Sequence, residues 1–217
     1  MALADPHRDV AELIAAGRDR EAAKRGATLH RSTRDGAPMD PITQLERLGP
    51  HLGAVVADIT PDQLDNPTPC AEFTVDGVLE HMISGATSFA AAFSGEQPVE
   101  RPVGDPLASF GPALGDLVAA ISAPGALDRT IHAPFGDVPG DVFARFVVLD
   151  GLVHGWDLAM ATGQTYEPPD ELVAAAEQFA RQTIDPLRDG QTFAEAVVPT
   201  VTASRIEQLA NYTGRRR

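Results

Sequence analysis

The stretch DVFARFVVLDGLVHGWDLAMAT, Asp141 to Thr162, decides the fold of this 217-residue chain. It is apolar on nearly every face, and its apolar residues recur in steps of three and four, which predicts a long helix buried among other helices. Asp150 and His154 stand four residues apart within it. Residues four apart lie one above the other on a helix, so the spacing predicts a carboxylate and an imidazole that could bind the same metal ion.

The rest of the chain is organised as further helices with apolar stripes of the same period. Besides the helix from Asp141 to Thr162, four core helices are predicted: Pro41 to Ile59, Val75 to Phe93, one within Leu107 to Ile121, and one from Pro168 towards Pro186. The sequence pattern predicts a turn or tiny hairpin at residues 129–140, a strand-like piece at residues 194–201 and a short helix at residues 203–214. With so little strand, the fold class is predicted to be all-α, a helical bundle.

Residues 1–39 and residues 40–217 differ in organisation. The first segment has only a meagre apolar stripe followed by a polar linker, so we expect an N-terminal appendage that packs little and could be mobile. The first convincing helix begins at Asp40 and Pro41, an acidic cap followed by proline at the first helical position. Residues 40–217 are therefore predicted to form the bundle.

Charge and composition exclude several classes of function. The formal net charge is −14, and so acidic a surface repels phosphate backbones and anionic lipid, which argues against nucleic-acid and membrane partners. No apolar run approaches the length of a membrane span, and the first residues do not resemble a secretory signal. The single cysteine, Cys70, fits a reducing cytoplasm. Nucleotide-binding and hydrolase motifs are absent from the sequence.

A three-residue constellation is the leading candidate site. His81 lies beside the core stripe of the second predicted helix, with a glycine one turn before it and another one turn after it, and it could meet Asp150 and His154. Two nitrogens and one carboxylate are a usual ligand set for Zn²⁺ or Fe²⁺ with an open position. The alternative is a buried hydrogen-bonded pair of Asp150 and His154, with His81 a separate core histidine.

Two further residues carry weaker signals. Asp157 could be a fourth ligand, but a carboxylate one turn beyond His154 is better suited to orienting that imidazole from outside the ligand set. Cys70 precedes the helix of His81, where a thiol could have a lowered pKa and act as a nucleophile. A small buried cysteine is the commoner case.

The motifs TPCAEFTVDGVLEHMISG (68–85) and LDGLVHGWDLAMATG (149–163) together carry a family resemblance. They resemble the DinB-like superfamily, in the branch related to mycothiol-dependent maleylpyruvate isomerase and to actinobacterial metal-binding proteins. The resemblance covers about residues 40 to 215. It implies an up-and-down four-helix bundle, with an extra C-terminal helix here, in which His81, Asp150 and His154 hold a divalent metal. Asp150 stands where the isomerase has glutamate.

The resemblance also implies a class of reaction. We expect Zn²⁺ as cofactor and metal-activated addition of a low-molecular-weight thiol, with mycothiol as the co-substrate, to a small-molecule electrophile, by a transferase or isomerase. The alternative is a non-catalytic bundle that binds a metal, a small ligand or a partner protein. The sequence leaves a homodimer open.

Overall fold

Helices dominate the computed structural model, which describes residues 39–96, 104–133, 136–188 and 193–217. The helices are α1 (Pro41–Ala57), α2 (Val75–Ser94), α3 (Pro106–Ile121), α4 (Gly140–Thr162), α5 (Asp170–Thr183) and α6 (Arg205–Tyr212). Strands β1 (Thr130–Ala133) and β2 (Gly136–Pro139) form one antiparallel hairpin. The predicted all-α bundle with little β is confirmed. Of the proposed appendage, all but Met39 lies outside the described residues.

The helix ends follow the capping signals of the sequence. The side chains of Asp40 and Thr74 each accept a hydrogen bond from the backbone N–H three residues on, and so cap α1 and α2. Helices α2 and α4 both end at a glycine in the left-handed conformation, Gly95 with φ 75° and Gly163 with φ 71°. These caps fix the lengths of the two helices that carry the candidate ligands.

Glycines on α4 allow α1 to approach it closely. A Cβ atom on Gly151 would lie 2.8 Å from Cδ2 of Leu48, and one on Gly155 would lie 2.7 Å from Cδ2 of Leu52 and 2.5 Å from the hydroxyl of Tyr166. Such distances are shorter than van der Waals contact allows. The two glycines therefore fix how near α4 comes to α1.

Helix α4 is the centre of the core. Its buried residues include Leu149, Leu152, Trp156 and Leu158, each at most 2% exposed. Helices α1, α2, α5 and α6 all pack against it, which explains why its sequence is apolar on every face. In the described part of the chain, no helix is both long and apolar enough to cross a membrane.

The strand-like piece predicted for residues 194–201 is wrong. No strand forms there, and the side chains of Val198 and Val201 are exposed. The segment is instead tied to α6 through the backbone N–H of Val197, which donates to the carbonyl of Asn211 at 2.9 Å. The apolar composition was a misleading signal, because Pro199 lacks an N–H and none of the described residues beside the segment forms a strand to pair with it.

Candidate metal centre

Helix α4 places Asp150 and His154 side by side, as the spacing of four predicts. The Nε2 atom of His154 lies 3.4 Å from Oδ1 of Asp150. The imidazole is 6% exposed, whereas the Asp150 side chain is 41% exposed. The predicted burial of this helix among other helices therefore does not extend to the Asp150 side chain. One edge of the carboxylate reaches water, and the pair stands at the rim of the core.

His81 joins the pair from α2. Its Nε2 atom lies 3.6 Å from the same carboxylate oxygen of Asp150, and its ring packs edge-on against that of His154 with centroids 4.9 Å apart. One ligand atom from each of the three residues lies within 4.8 Å of the others. The structure thus brings together the three residues singled out from the sequence, and it does not leave His81 as a separate core histidine.

The glycine before His81, Gly77, makes room for an aromatic ring. A Cβ atom on Gly77 would lie 3.0 Å from the ring of Phe73, which also packs against His81 with ring centroids 5.6 Å apart. The space beside Gly77 is therefore filled by Phe73 and not left for a ligand.

The pKa values of Asp150 and His81 depend on each other. Partial burial acts to raise the pKa of Asp150, but the neighbouring His154 and His81 and the guanidinium of Arg215 outweigh it and hold the pKa well below its usual value. Burial acts to lower the pKa of His81, but the hydrogen bond and charge of Asp150 raise it above the usual value. The site is thus built around an ionised carboxylate that attracts positive charge.

Asp157 lies behind His154. Its Oδ2 atom is 3.1 Å from Nδ1 of His154 and also accepts a hydrogen bond from Nε of Arg215 at 3.2 Å. The carboxylate is fully buried, and within the described ranges its other oxygen, Oδ1, has no hydrogen-bond partner. This geometry suits the orienting role expected of Asp157. Arg215 is the residue that sequence reasoning missed.

Cys70 belongs to a second possible ligand group. Its sulfur and one ligand atom each of His154 and Asp157 lie within 4.8 Å of one another. Burial raises the pKa of the Cys70 thiol to about 11, so the thiolate that a metal or a reaction requires is disfavoured. Arg215 already compensates the charge of Asp157. Cys70, His154 and Asp157 are therefore less suited to a cation than His81, Asp150 and His154.

An apolar cleft adjoins Asp150. It lies between the first four helices and is lined by such residues as Leu48, Met82, Phe89 and Leu117, with Asp150 at its edge. Of the described residues that line it, Asp150 alone is ionisable. The candidate site therefore combines a polar set of ligand atoms with an adjacent apolar surface, a combination typical of small-molecule sites.

Comparison with known proteins identifies the family of the chain. Residues 45–159 match the family of the mycothiol maleylpyruvate isomerase N-terminal domain. Two uncharacterized proteins from two strains of Mycobacterium tuberculosis are each 34% identical to the chain over 180 residues, covering 82% of this chain and 98% of the relative. No solved structure matches significantly. The chain belongs to the DinB-like family of the mycothiol maleylpyruvate isomerase N-terminal domain.

Proposed function

We propose that His81, Asp150 and His154 bind one divalent metal ion, Zn²⁺, and that the protein uses it to add a low-molecular-weight thiol to a small electrophile. The observation that carries the proposal is the convergence of two imidazoles and one carboxylate from two helices. Two nitrogens and one oxygen suit Zn²⁺ and leave room for a further ligand. Mycothiol is the proposed thiol because the family is defined by a mycothiol-dependent enzyme.

The side chains of His81, Asp150 and His154 suit a Zn²⁺ ion. The carboxylate of Asp150 stays ionised, and it already draws the Nε2 atoms of both histidines towards one oxygen. Asp157 accepts from the far side of His154, the arrangement that commonly turns the remaining nitrogen lone pair of a histidine towards a metal. An exposed edge of Asp150 gives solutes a path to the site.

The chemistry divides between the metal and the protein. A bound Zn²⁺ supplies a Lewis acid that lowers the pKa of a coordinated thiol or water, for water to about 7. The apolar cleft binds the carbon skeleton of the electrophile and keeps water from it. Since the described lining contains no basic side chain to pair with an anion, we propose that this part of the electrophile is uncharged.

The reaction class follows from these parts. The thiol gives up its proton to solvent, and its sulfur forms a bond to the electrophilic carbon. In an addition, the electron pair of the attacked double bond takes up a proton, and in a substitution the leaving group departs with its electron pair. In both cases the apolar cleft holds the carbon skeleton next to Asp150.

The test has a binding step and a catalytic step. Zinc titration of the metal-free protein should show one site, which His81→Ala abolishes without loss of helical circular dichroism. The zinc-loaded protein should then consume mycothiol in the presence of an uncharged electrophile, and His81→Ala should not. Equal zinc binding by wild type and His81→Ala would contradict the metal site. Zinc binding without thiol consumption would contradict the enzymatic part.

A non-catalytic metal- or ligand-binding role is the second candidate. It is favoured by one observation, namely that the match is to the N-terminal domain of the isomerase and covers residues 45–159. On this proposal the zinc site is intact, a thiol or small ligand binds beside it, and no product forms. Calorimetric binding of mycothiol without turnover would support this role.

A further inference from the structure

We infer that Arg215 is a positioning residue for the candidate metal centre, because it anchors the Asp157 carboxylate that fixes the orientation and tautomer of His154. The inference rests on the proposed function insofar as His154 is taken as a metal ligand. It adds a residue that lies 58 positions from Asp157 in the sequence and outside the segment that matches the family. None of the motifs in the sequence points to it.

The contacts form a continuous chain from α6 to the site. The Nε atom of Arg215 donates to Oδ2 of Asp157 at 3.2 Å, and this oxygen lies 3.1 Å from Nδ1 of His154. On the other side of the ring, Nε2 of His154 lies 3.4 Å from Oδ1 of Asp150. The imidazole is thus held between two carboxylates, and Arg215 bonds to the buried one.

The order of donors and acceptors along this chain favours one position for the proton of a neutral His154. A carboxylate oxygen accepts hydrogen bonds, and a guanidinium only donates them. Oδ2 of Asp157 accepts from Arg215 and lies 3.1 Å from Nδ1 of His154, so a proton on Nδ1 completes the chain. The Nε2 lone pair is then free to face Asp150 and the site, as a metal ligand requires.

Asp157 depends on Arg215 for its counter-charge. The carboxylate is fully buried, and burial of an ionised group without a counter-charge is costly. The Arg215 side chain is 16% exposed, and its guanidinium is the cation that contacts Asp157 in the described part of the chain. Without it, His154 is the one hydrogen-bond partner left to the carboxylate among the described residues, so the orientation of the imidazole is less firmly fixed.

The backbone around Arg215 is built to hold the side chain in place. Its N–H donates to the carbonyl of Ala210 at 3.0 Å, and the side-chain amide of Asn211 donates to its carbonyl at 3.1 Å. Gly214, with φ 98°, makes the turn that directs the chain back after α6, and a Cβ atom there would lie 2.7 Å from that of Ala194. A flexible surface arginine would have none of these restraints.

The test compares Arg215→Met, Arg215→Lys and, as a matched control, Arg216→Met, since Arg216 is exposed. Nitrogen-15 spectra of the metal-free proteins at about pH 8, where an unperturbed histidine is neutral, report which ring nitrogen of His154 carries the proton. We expect the Nδ1–H form in wild type and Arg216→Met. In Arg215→Met, where the carboxylate is less firmly held, part of the Nε2–H form should appear, and zinc affinity should fall by about 10 to 100-fold.

The remaining outcomes decide between the inference and the metal proposal. If Arg215→Met fails to fold, Arg215→Lys serves as the second variant, because lysine keeps the charge but lacks the Nε donor. It should show a smaller loss of zinc affinity, about threefold to tenfold, with a mixture of tautomers. A folded Arg215 variant with wild-type tautomer and affinity would overturn the inference. If wild type binds no zinc, the metal proposal fails, but the tautomer measurement still decides the role of Arg215.

Discussion

His81 and His154 lie ring against ring across the interface between α2 and α4, with centroids 4.9 Å apart and planes inclined at 63°. Both imidazoles also approach the same carboxylate oxygen of Asp150, so the three side chains are placed to share a cation. We expect His154→Ala to abolish stoichiometric zinc binding, as His81→Ala does, because each removes one of three ligands. Elemental analysis of the purified variants measures this, and an unchanged zinc content in both would refute the site.

Asp150 and Asp157 are expected to differ in what they contribute. Asp150→Asn removes the anionic ligand and should weaken zinc binding strongly with little effect on thermal stability, because its side chain is 41% exposed. Asp157→Asn leaves the guanidinium of Arg215 without its partner and should destabilise the fold, by about 3 kcal/mol for a buried ion pair that loses one member. Its effect on zinc affinity should be milder.

Calorimetric titration and thermal melts of the two asparagine variants separate these effects. If Asp157→Asn loses zinc affinity and Asp150→Asn does not, the ion is bound by His154 and Asp157. The ligand set would then have to be redrawn around the buried carboxylate.

Cobalt substitution tests which of the two ligand groups holds the ion. With His81, Asp150 and His154 as ligands, the Co²⁺ protein should lack the near-ultraviolet charge-transfer band of a thiolate ligand, because Cys70 lies outside this ligand set. Cys70→Ser should then leave the visible Co²⁺ spectrum unchanged. A strong band in wild type that Cys70→Ser removes would show coordination by sulfur.

Alanine at two helical glycines should change stability in opposite directions. Gly155→Ala would press a methyl group against Tyr166 and Leu52, and we expect it to destabilise the protein by about 1 to 3 kcal/mol. Gly53→Ala, on α1, meets nothing within 4 Å and should stabilise by up to about 1 kcal/mol, since alanine has the higher helix propensity. Urea denaturation compares the two, and equal effects would contradict the described packing of α1 on α4.

Residues 1–38 should be dispensable for the bundle. The sequence gives them no continuous apolar face, and the family match begins at residue 45. We expect their deletion to leave zinc content unchanged and to shift the melting temperature by less than about 5 °C. A shift of about 5 °C would correspond to a loss of roughly 1 kcal/mol or more in the free energy of unfolding for a domain of this size. A larger drop would mean that this segment packs on the helices.

The helices and three of the site residues could be predicted because their signals are local. A period of 3.6 identifies each core helix, and the spacing of four between Asp150 and His154 specifies a shared helix face. His81 was found because its off-stripe position is visible within its own helix. Each of these patterns spans only a few turns of one element, so a single sequence contains all the information needed.

Arg215 and the exposure of Asp150 could not be predicted because they depend on tertiary packing. Arg215 begins a run of three arginines, a pattern that more often indicates solvated charges than a buried ion pair. Its contact with Asp157 arises only after α6 has packed on α4. Likewise, the face of α4 that stays open to water depends on how closely α2 approaches, and no periodicity reports that distance.

The pairing of the helices gives the candidate site a thermodynamic consequence. Helix α2 packs mainly on α3, whereas α4 packs mainly on α1. The contact between α2 and α4 is less extensive than either of these, and His81 lies across it. An ion shared by His81 and α4 would act as a cross-link between two helix pairs. Such a ligand stabilises the native state by about 2.7 kcal/mol at one hundred times its dissociation constant, so amide hydrogen exchange along α2 would report zinc occupancy.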